Sequence, residues 1–378
     1  MTVPARDVTE LLRQLVQIPS VNPDGDPGTS HTGEENIARF VGEFLSGAGA
    51  EVTYEEVLPG RPNVIGRFPT NSGGKPEILL APHTDTVSIA GMTVDPFGGE
   101  VVGGKLYGRG ACDTKGTMAA MLWALKEMGA ERVASLGCRV TFVGLIGEES
   151  GQYGSKHFAE HHPAYDFAIV GEPTGCDVVV RTKGALWPVL TTTGKAVHGS
   201  KPELGENAIT KMAPVVTAID TRFREHLKKG EWCDSLLGHS TVNIGMVQGG
   251  SRTNIVADRC QLNLDIRMTP SLYTAGGIGV LCAFIEEEGL DVGVEAEPPS
   301  PPLDTAADNP FISVLESIGA KKVGAPWFCD ASWLGAGGIP GVAAGPGSID
   351  QAHTADEWIS VDELDRGVVF YRRFLEAV

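Results

Sequence analysis

The residues in this chain with the strongest claim to chemistry are a histidine and several carboxylates, and most of them follow apolar runs. The run at 78–81 ends in Pro82 and delivers His83 and Asp85, two residues apart. Asp113 stands in the glycine-rich turn of LYGRGACDTKG, Glu148 and Glu149 follow the run at 139–146, and Glu172 follows 167–170. Any one of these acids alone reads as a helix N-cap or a surface carboxylate. Together they would crowd negative charge at one edge of a sheet, and such charge is stabilised by bound cations. Imidazole with several carboxylates is the donor set of Zn²⁺, Mn²⁺ or Co²⁺ hydrolases, and no cysteine cluster suggests a structural zinc site. General-base hydrolysis needs one spare carboxylate beside such ions. The Glu148–Glu149 pair can supply a ligand and a base, because neighbouring residues leaving a strand point apart. A Ser-His-Asp enzyme built on His83 and Asp85 is the competing arrangement. No serine sits in a nucleophile-elbow context, and the G-x-S-x-G, H-E-x-x-H, G-x-x-x-x-G-K-[ST] and G-x-G-x-x-G patterns are absent.

The elements that must hold these residues alternate in type. An amphipathic helix is expected over 7–16, with Val8, Leu11, Leu12 and Leu15 on one face, and a second over 35–48. SVNPDGDPGTSHTGEE between them is a polar loop. Strands are expected at 51–56, 63–68, 78–81, 139–146 and 167–170, with a short strand entering the turn at 106–113 and a helix over 116–128. Strands alternating with helices predict an α/β fold: a mixed, mostly parallel sheet flanked by helices. From about 178 the rhythm changes. A long alternating strand (183–193), a helix (206–228), two strands (240–248 and 260–268), a helix (274–288) and a strand (291–297) follow in the βαββαβ order of a ferredoxin-like unit. PPSPPLD at 298–304 reads as a stiff linker, leading to a helix at 310–318, a strand at 341–344 and a closing helix from 361. Residues 1–177 and 298–378 are thus expected to form one discontinuous domain, with 178–297 inserted.

Composition narrows the class. The net charge of −18 and pI near 4.9 argue against nucleic acid, since nothing neutralises a run of phosphates. Seven scattered cysteines without a C-x-x-C pair suit free thiols in a reducing compartment. No apolar run approaches the ~20 residues that span a bilayer, and no signal-peptide core opens the chain. A cytoplasmic protein is expected.

Seven segments carry a resemblance: APHTDTV, LYGRGACDTKGTMAAML, GLIGEES, VGEPT, GKAVHGSKPELGENAI, GGSRTNIVADRCQLNLDIR and GPGSIDQAHTADEW. In order, and over nearly the whole chain, they resemble the acetylornithine deacetylase, succinyl-diaminopimelate desuccinylase, aminoacylase and carboxypeptidase G family of di-metal amidohydrolases and peptidases. The resemblance implies a metallopeptidase catalytic domain with an inserted lid and dimerisation domain. It implies two divalent ions, Zn²⁺ by preference with Co²⁺ or Mn²⁺ as alternatives. His83 and Glu172 would bind one and Glu149 and His353 the other, with Asp113 bridging and followed by a non-proline cis peptide. Asp85 would accept the second ring N–H of His83. Glu148 would be the base that activates the bridging water and then protonates the leaving amine.

The same resemblance gives the inserted domain its roles. His198, in a G-x-x-x-H-G-S pattern, would reach across a homodimer to stabilise the oxyanion. Arg267 and Asn254 would grip the substrate carboxylate and carbonyl. Without that context His198 and His353 read as ordinary loop histidines, and Arg267 as a solubilising strand residue. His157, His161 and His162 lie in a polar stretch and are expected to be solvated. The implied reaction is hydrolysis of the amide in a small N-acyl amino acid, because GPGSIDQAH most resembles acetylornithine deacetylase. A dipeptidase or glutamate-carboxypeptidase-like activity is the alternative, and a non-catalytic metal-binding sensor a more distant one. Cys329 departs from the Thr or Ser common before the following acid and is a poor donor. Trp327, Phe328 and Trp333 around it either line an apolar pocket or pack the core.

Overall fold

The computed structural model describes residues 5–24, 29–71 and 73–378. Residues 25–28 of the expected SVNPDGDPGTSHTGEE loop lie outside them. The chain divides into two compact units: Met1–Val180 with Thr305–Val323 and Cys329–Val378, and Arg181–Asp304 with Gly324–Phe328.

An eight-stranded sheet runs in the spatial order Glu51–Leu58, Arg61–Arg67, Arg139–Gly144, Glu77–Pro82, Phe167–Gly171, Gly341–Ala343, Val178–Thr182, Lys322–Ala325. Its four central strands are parallel neighbours, whereas pairings on either side of them are antiparallel. The two-residue turn between Leu58 and Arg61 permits only an antiparallel hairpin, so the sheet is less parallel than simple strand–helix alternation suggests. Leu79, Leu80, Phe142, Val143, Phe167 and Ile169 are fully buried, which explains why these strands read as unbroken apolar runs.

The helix Val8–Val16 buries Val8, Leu11, Leu12 and Leu15 as spaced, and Asp7 caps it by accepting the Glu10 amide N–H at 2.8 Å. It packs with Lys115–Ser135 and Val361–Ala377, while Tyr153–His161 packs on Asp330–Ala336. The helix expected to end at 128 does lose helical geometry at Gly129, where φ is 73°, but resumes to Ser135. Two strands, Val178–Thr182 and Lys322–Ala325, and the helix Asp330–Ala336 have no counterpart in the sequence reading. At five, four and seven residues they are too short to display a period.

In the second unit the expected single strand at 183–193 is two, Gly184–Leu186 and Val189–Thr193. Pro188 lacks an amide hydrogen and interrupts the ladder. Helical residues from Ala208 to His226 include a π-helical stretch, Ala218–Phe223. The helix expected at 274–288 begins only at Gly277, because Gly276, at φ 78°, separates it from Pro270–Thr274. The sheet runs Thr241–Gly249, Arg259–Met268, Val189–Thr193, Gly293–Glu295, all antiparallel, which is the ferredoxin-like strand order. Cys260, Leu262, Leu264, Ile266 and Met268 of the strand Arg259–Met268 join the core, while Gln261, Asn263, Asp265 and Arg267 point to its polar face. The proline-rich stretch is no free linker: Ser300 exchanges two backbone hydrogen bonds with Ala185, at 2.9 and 3.1 Å. Among the described residues no helix is long and apolar enough to cross a membrane.

Candidate active site

His83 follows the strand Glu77–Pro82, Glu172 follows Phe167–Gly171, and Glu148–Glu149 follow Arg139–Gly144 after a three-residue step. These strands are parallel neighbours with Glu77–Pro82 in the middle, so their carboxyl ends deliver the side chains to one edge. Gly147, at φ 72°, makes the turn that presents Glu148; a Cβ there would lie 3.1 Å from the Tyr153 ring.

Asp113 arrives from the turn after Lys105–Tyr107, and the Asp113–Thr114 peptide is cis. It offers one oxygen to each of two imidazoles. Oδ1 lies 3.0 Å from His83 Nε2, and Oδ2 lies 3.4 Å from His353 Nε2. His353 Nε2 is also 3.0 Å from Glu149 Oε2. His353 adopts φ 62°, a region that few non-glycine residues occupy, and its side chain is 54 % exposed. Donor atoms of His83, Asp113 and Glu149 all lie within 4.8 Å of one another.

The electrostatics of this cluster suit divalent cations. Glu149 Oε1 and Glu172 Oε1 are buried without a hydrogen-bond partner. Burial, and then the charge of Asp113, raises the Glu172 pKa well above the carboxylate range. Burial followed by the charge of Glu172 does the same to Glu148. Burial and Asp113 push Glu149 up to about 7. Burial opposes protonation of His83, but its bonds to Asp113 and Asp85 prevail and hold its pKa well above that of free imidazole. Bonds to Asp113 and Glu149 raise His353 to about 10. Carboxyls retaining protons beside imidazoles gaining them mark a shortage of positive charge, which oxygen- and nitrogen-bound dications would supply.

Asp85 does more than face the His83 ring, the part the resemblance implies for it. His83 Nδ1 is 3.0 Å from the Asp85 backbone carbonyl and 3.5 Å from its carboxylate. The main chain therefore takes at least as large a part as the carboxylate in orienting the ring. The buried carboxylate accepts the backbone N–H of Glu148 at 3.0 Å, that of Glu149 at 3.1 Å, and Asn22 Nδ2 at 2.7 Å. It thereby pins both glutamates at their backbone.

Glu357 escaped the sequence reading altogether. This buried carboxylate accepts Arg109 Nη1 at 2.7 Å and the amides of Gly110 at 3.0 Å, Cys112 at 2.9 Å and Asp113 at 2.9 Å. It ties the His353 loop to the Asp113 turn. The only sequence signal was an acid four residues after His353. Glutamine at 357 would turn an amide NH₂ toward backbone N–H donors. Glu357→Gln is therefore expected to weaken metal affinity by roughly 10–100-fold, measured by chelator competition; unchanged affinity would refute the tie.

Around Glu148, Asp330 is buried, accepts Ser155 Oγ through Oδ1, and leaves Oδ2 without a partner. Burial pushes the Cys329 thiol well up, so it is a neutral packing group. Trp333 Nε1 donates to Gln152 Oε1 at 3.0 Å, which assigns that tryptophan a polar tether. His162 is not simply solvated: its Nε2 lies 2.8 Å from a Glu55 oxygen.

His198, Asn254 and Arg267 lie in the second unit. His198 is exposed and pairs with Ile255 across a short bridge, while the Gly199 amide donates to the Asn254 carbonyl at 2.8 Å. The Ser200 amide can only donate, so His198 Nδ1 accepts it at 3.2 Å and Nε2 carries the ring proton.

The family model for Peptidase family M20/M25/M40 matches residues 79–377. The chain belongs to this family. It is 30% identical over 364 residues to an acetylornithine deacetylase of Vibrio atlanticus (strain LGP32), covering 94% of both chains. Its fold matches a tripeptidase of Staphylococcus aureus with a TM-score of 0.78 at 24% identity, covering 100% of this chain and 99% of that one. A dinuclear metal-binding M20 peptidase of Bacillus subtilis matches with a TM-score of 0.70 at 16% identity, covering 98% of each. As a member of the M20 family the chain is a hydrolase of amide bonds.

Proposed function

We propose that this M20 enzyme hydrolyses the amide of a small N-acyl amino acid at a two-metal centre. One observation carries the reading most directly. Asp85 pins two adjacent glutamates, of which Glu149 turns to Asp113 and His353, while the Glu148 carboxyl has no hydrogen-bond partner among the described residues. That leaves Glu148 available to move a proton. His83 and Glu172 would hold one ion, Glu149 and His353 the other, and Asp113 both; zinc suits the set, with cobalt or manganese as alternatives. Bound there, the ions supply polarisation of the scissile carbonyl and acidification of water. Glu148 takes a proton from the attacking water and passes it to the departing amine. Burial and the Glu172 charge hold its pKa above the ordinary carboxylate range, which makes the carboxylate a stronger base toward water than an exposed glutamate.

Arg267 and Asn254 hold the substrate carboxylate and carbonyl in this reading, and the second unit acts as a lid. His198, with its proton on Nε2, donates to the developing oxyanion in the site of a second copy of the chain. The outer strand Thr241–Gly249 pairs on one side only and exposes Met246 at 53 % and Val247 at 60 %, which supports a homodimer formed through this unit. All seven cysteines are free, which fits a cytoplasmic location.

The decisive experiment is a hydrolysis screen of the metal-reconstituted enzyme. N-acetyl amino acids are expected to turn over fastest. Faster cleavage of dipeptides would favour the peptidase alternative, and bound metal without hydrolysis would sink the enzymatic reading. Sharing across the dimer is tested by mixing His198→Ala with Glu148→Gln subunits. Activity that neither variant has alone is expected; its absence after demonstrated subunit exchange counts against the shared histidine.

A further inference from the structure

The polar face of the second unit's sheet carries a feature that the hydrolytic machinery does not require. Arg267 lies near the end of Arg259–Met268, in register with Ala185 of Gly184–Leu186, and Trp187 directly follows that short strand. Pro188 breaks the strand there, leaving the Trp187 side chain outside the core at 48 % exposure. Phe328, from the 324–328 segment that rejoins this unit, completes the arrangement. The Arg267 guanidinium carbon is 5.4 Å from the Phe328 ring centroid and 5.9 Å from that of Trp187. The two rings are 5.9 Å apart and tilted by 59°. Asp265 accepts the Arg267 Nε hydrogen at 3.1 Å, while neither terminal nitrogen has a hydrogen-bond partner among the described residues.

One cation with two free donor groups and two aromatic surfaces makes an amphiphilic anion site. We propose that Trp187 and Phe328 determine specificity beside Arg267 and select N-acyl amino acids with a flat, aromatic side chain. The inference rests on the deacylase reading above, in which Arg267 takes the substrate carboxylate. In an α-amino acid the side chain branches from the atom next to that carboxylate. Whatever the guanidinium grips in a bidentate fashion therefore places its side chain within reach of the rings. A flat apolar group gains from burial against two aromatic faces. A cationic side chain such as that of ornithine would lie near Arg267, where Asp265 is already paired, and like charges there disfavour it. The acyl group lies beyond the scissile amide and is not selected by these residues.

The test uses binding as well as turnover. Metal-loaded Glu148→Gln enzyme is titrated calorimetrically with N-acetylphenylalanine and with N-acetylornithine. The aromatic ligand is expected to bind at least tenfold more tightly, by about the discrimination a pocket makes on apolar groups. Trp187→Ala and Phe328→Ala, introduced in turn, should each weaken it on the order of tenfold, and Trp187→Phe should restore most of that loss. In active enzyme the same two alanine variants should lower the ratio of kcat/KM for N-acetylphenylalanine over N-acetylalanine, mainly through KM. Equal or tighter binding of N-acetylornithine, or aromatic affinity indifferent to both alanine variants, overturns the proposal. Turnover of N-acetylornithine without aromatic preference would remove this specificity and leave the deacylase reading standing. Tight aromatic binding through these residues, with no N-acyl amino acid cleaved, would do the reverse.

Discussion

Replacing Glu148 by glutamine is expected to lower kcat by ~10²–10⁴-fold while both metal positions stay filled. Glutamine keeps the shape of the side chain, and its backbone N–H still reaches the Asp85 carboxylate, as the Glu148 amide does at 3.0 Å. The variant cannot accept a proton from water or return one to the leaving amine. Because the Glu148 carboxyl has no hydrogen-bond partner among the described residues, the exchange takes an acceptor from no protein donor, and the new amide NH₂ has the Glu172, Asp330 and Glu149 carboxyls around it, so stability should change little. Steady-state kinetics beside elemental analysis of the purified variant separates the outcomes. Near-normal kcat with metal bound would remove Glu148 from the chemistry.

Losing His83 and altering Asp85 should have separable consequences. His83→Ala deletes the imidazole whose Nε2 stands 3.0 Å from Asp113, and one of the two metal positions should empty or lose its function. Asp85→Asn keeps the carbonyl that faces His83 Nδ1, since that partner is backbone. What it loses is the acceptor either for the Glu148 amide, if the NH₂ replaces Oδ1, or for both the Glu149 amide and the Asn22 side chain, if it replaces Oδ2. An asparagine NH₂ turned toward a backbone N–H repels it, so the glutamate pair should shift. Metal affinity is then expected to fall by roughly 10–100-fold, as for other partners of ligand residues, with kcat falling as well. Chelator competition and metal content report the first effect, and turnover at saturating metal reports the second. Full activity in both variants would mean that neither His83 nor Asp85 organises the site.

The contrast between those two residues shows where sequence reading succeeds. His83, Asp113, Glu148, Glu149 and Glu172 were legible because most of them end or follow apolar runs, and a parallel sheet places the ends of such runs together. The strands beneath them were legible for the same reason. The alternation at 183–193 reads as one strand because it continues across Pro188, where the backbone ladder cannot. Short elements such as Asp330–Ala336 show no period and were missed.

The sequence by itself determined the fold class, the family and the side chains capable of the chemistry, because these depend on residue type and on spacing along the chain. Only the tertiary structure decided how those side chains are held. The Asp85 carboxylate serves the Glu148–Glu149 backbone from about sixty positions away, with separations of 63 and 64 residues. Glu357 clamps the amides of Cys112 and Asp113 across separations of 245 and 244. Trp187 and Phe328 meet around Arg267 from three separate segments. A buried carboxylate must find donors wherever the folded chain brings them. That choice among distant backbone groups leaves no local pattern, and so it is made by packing alone.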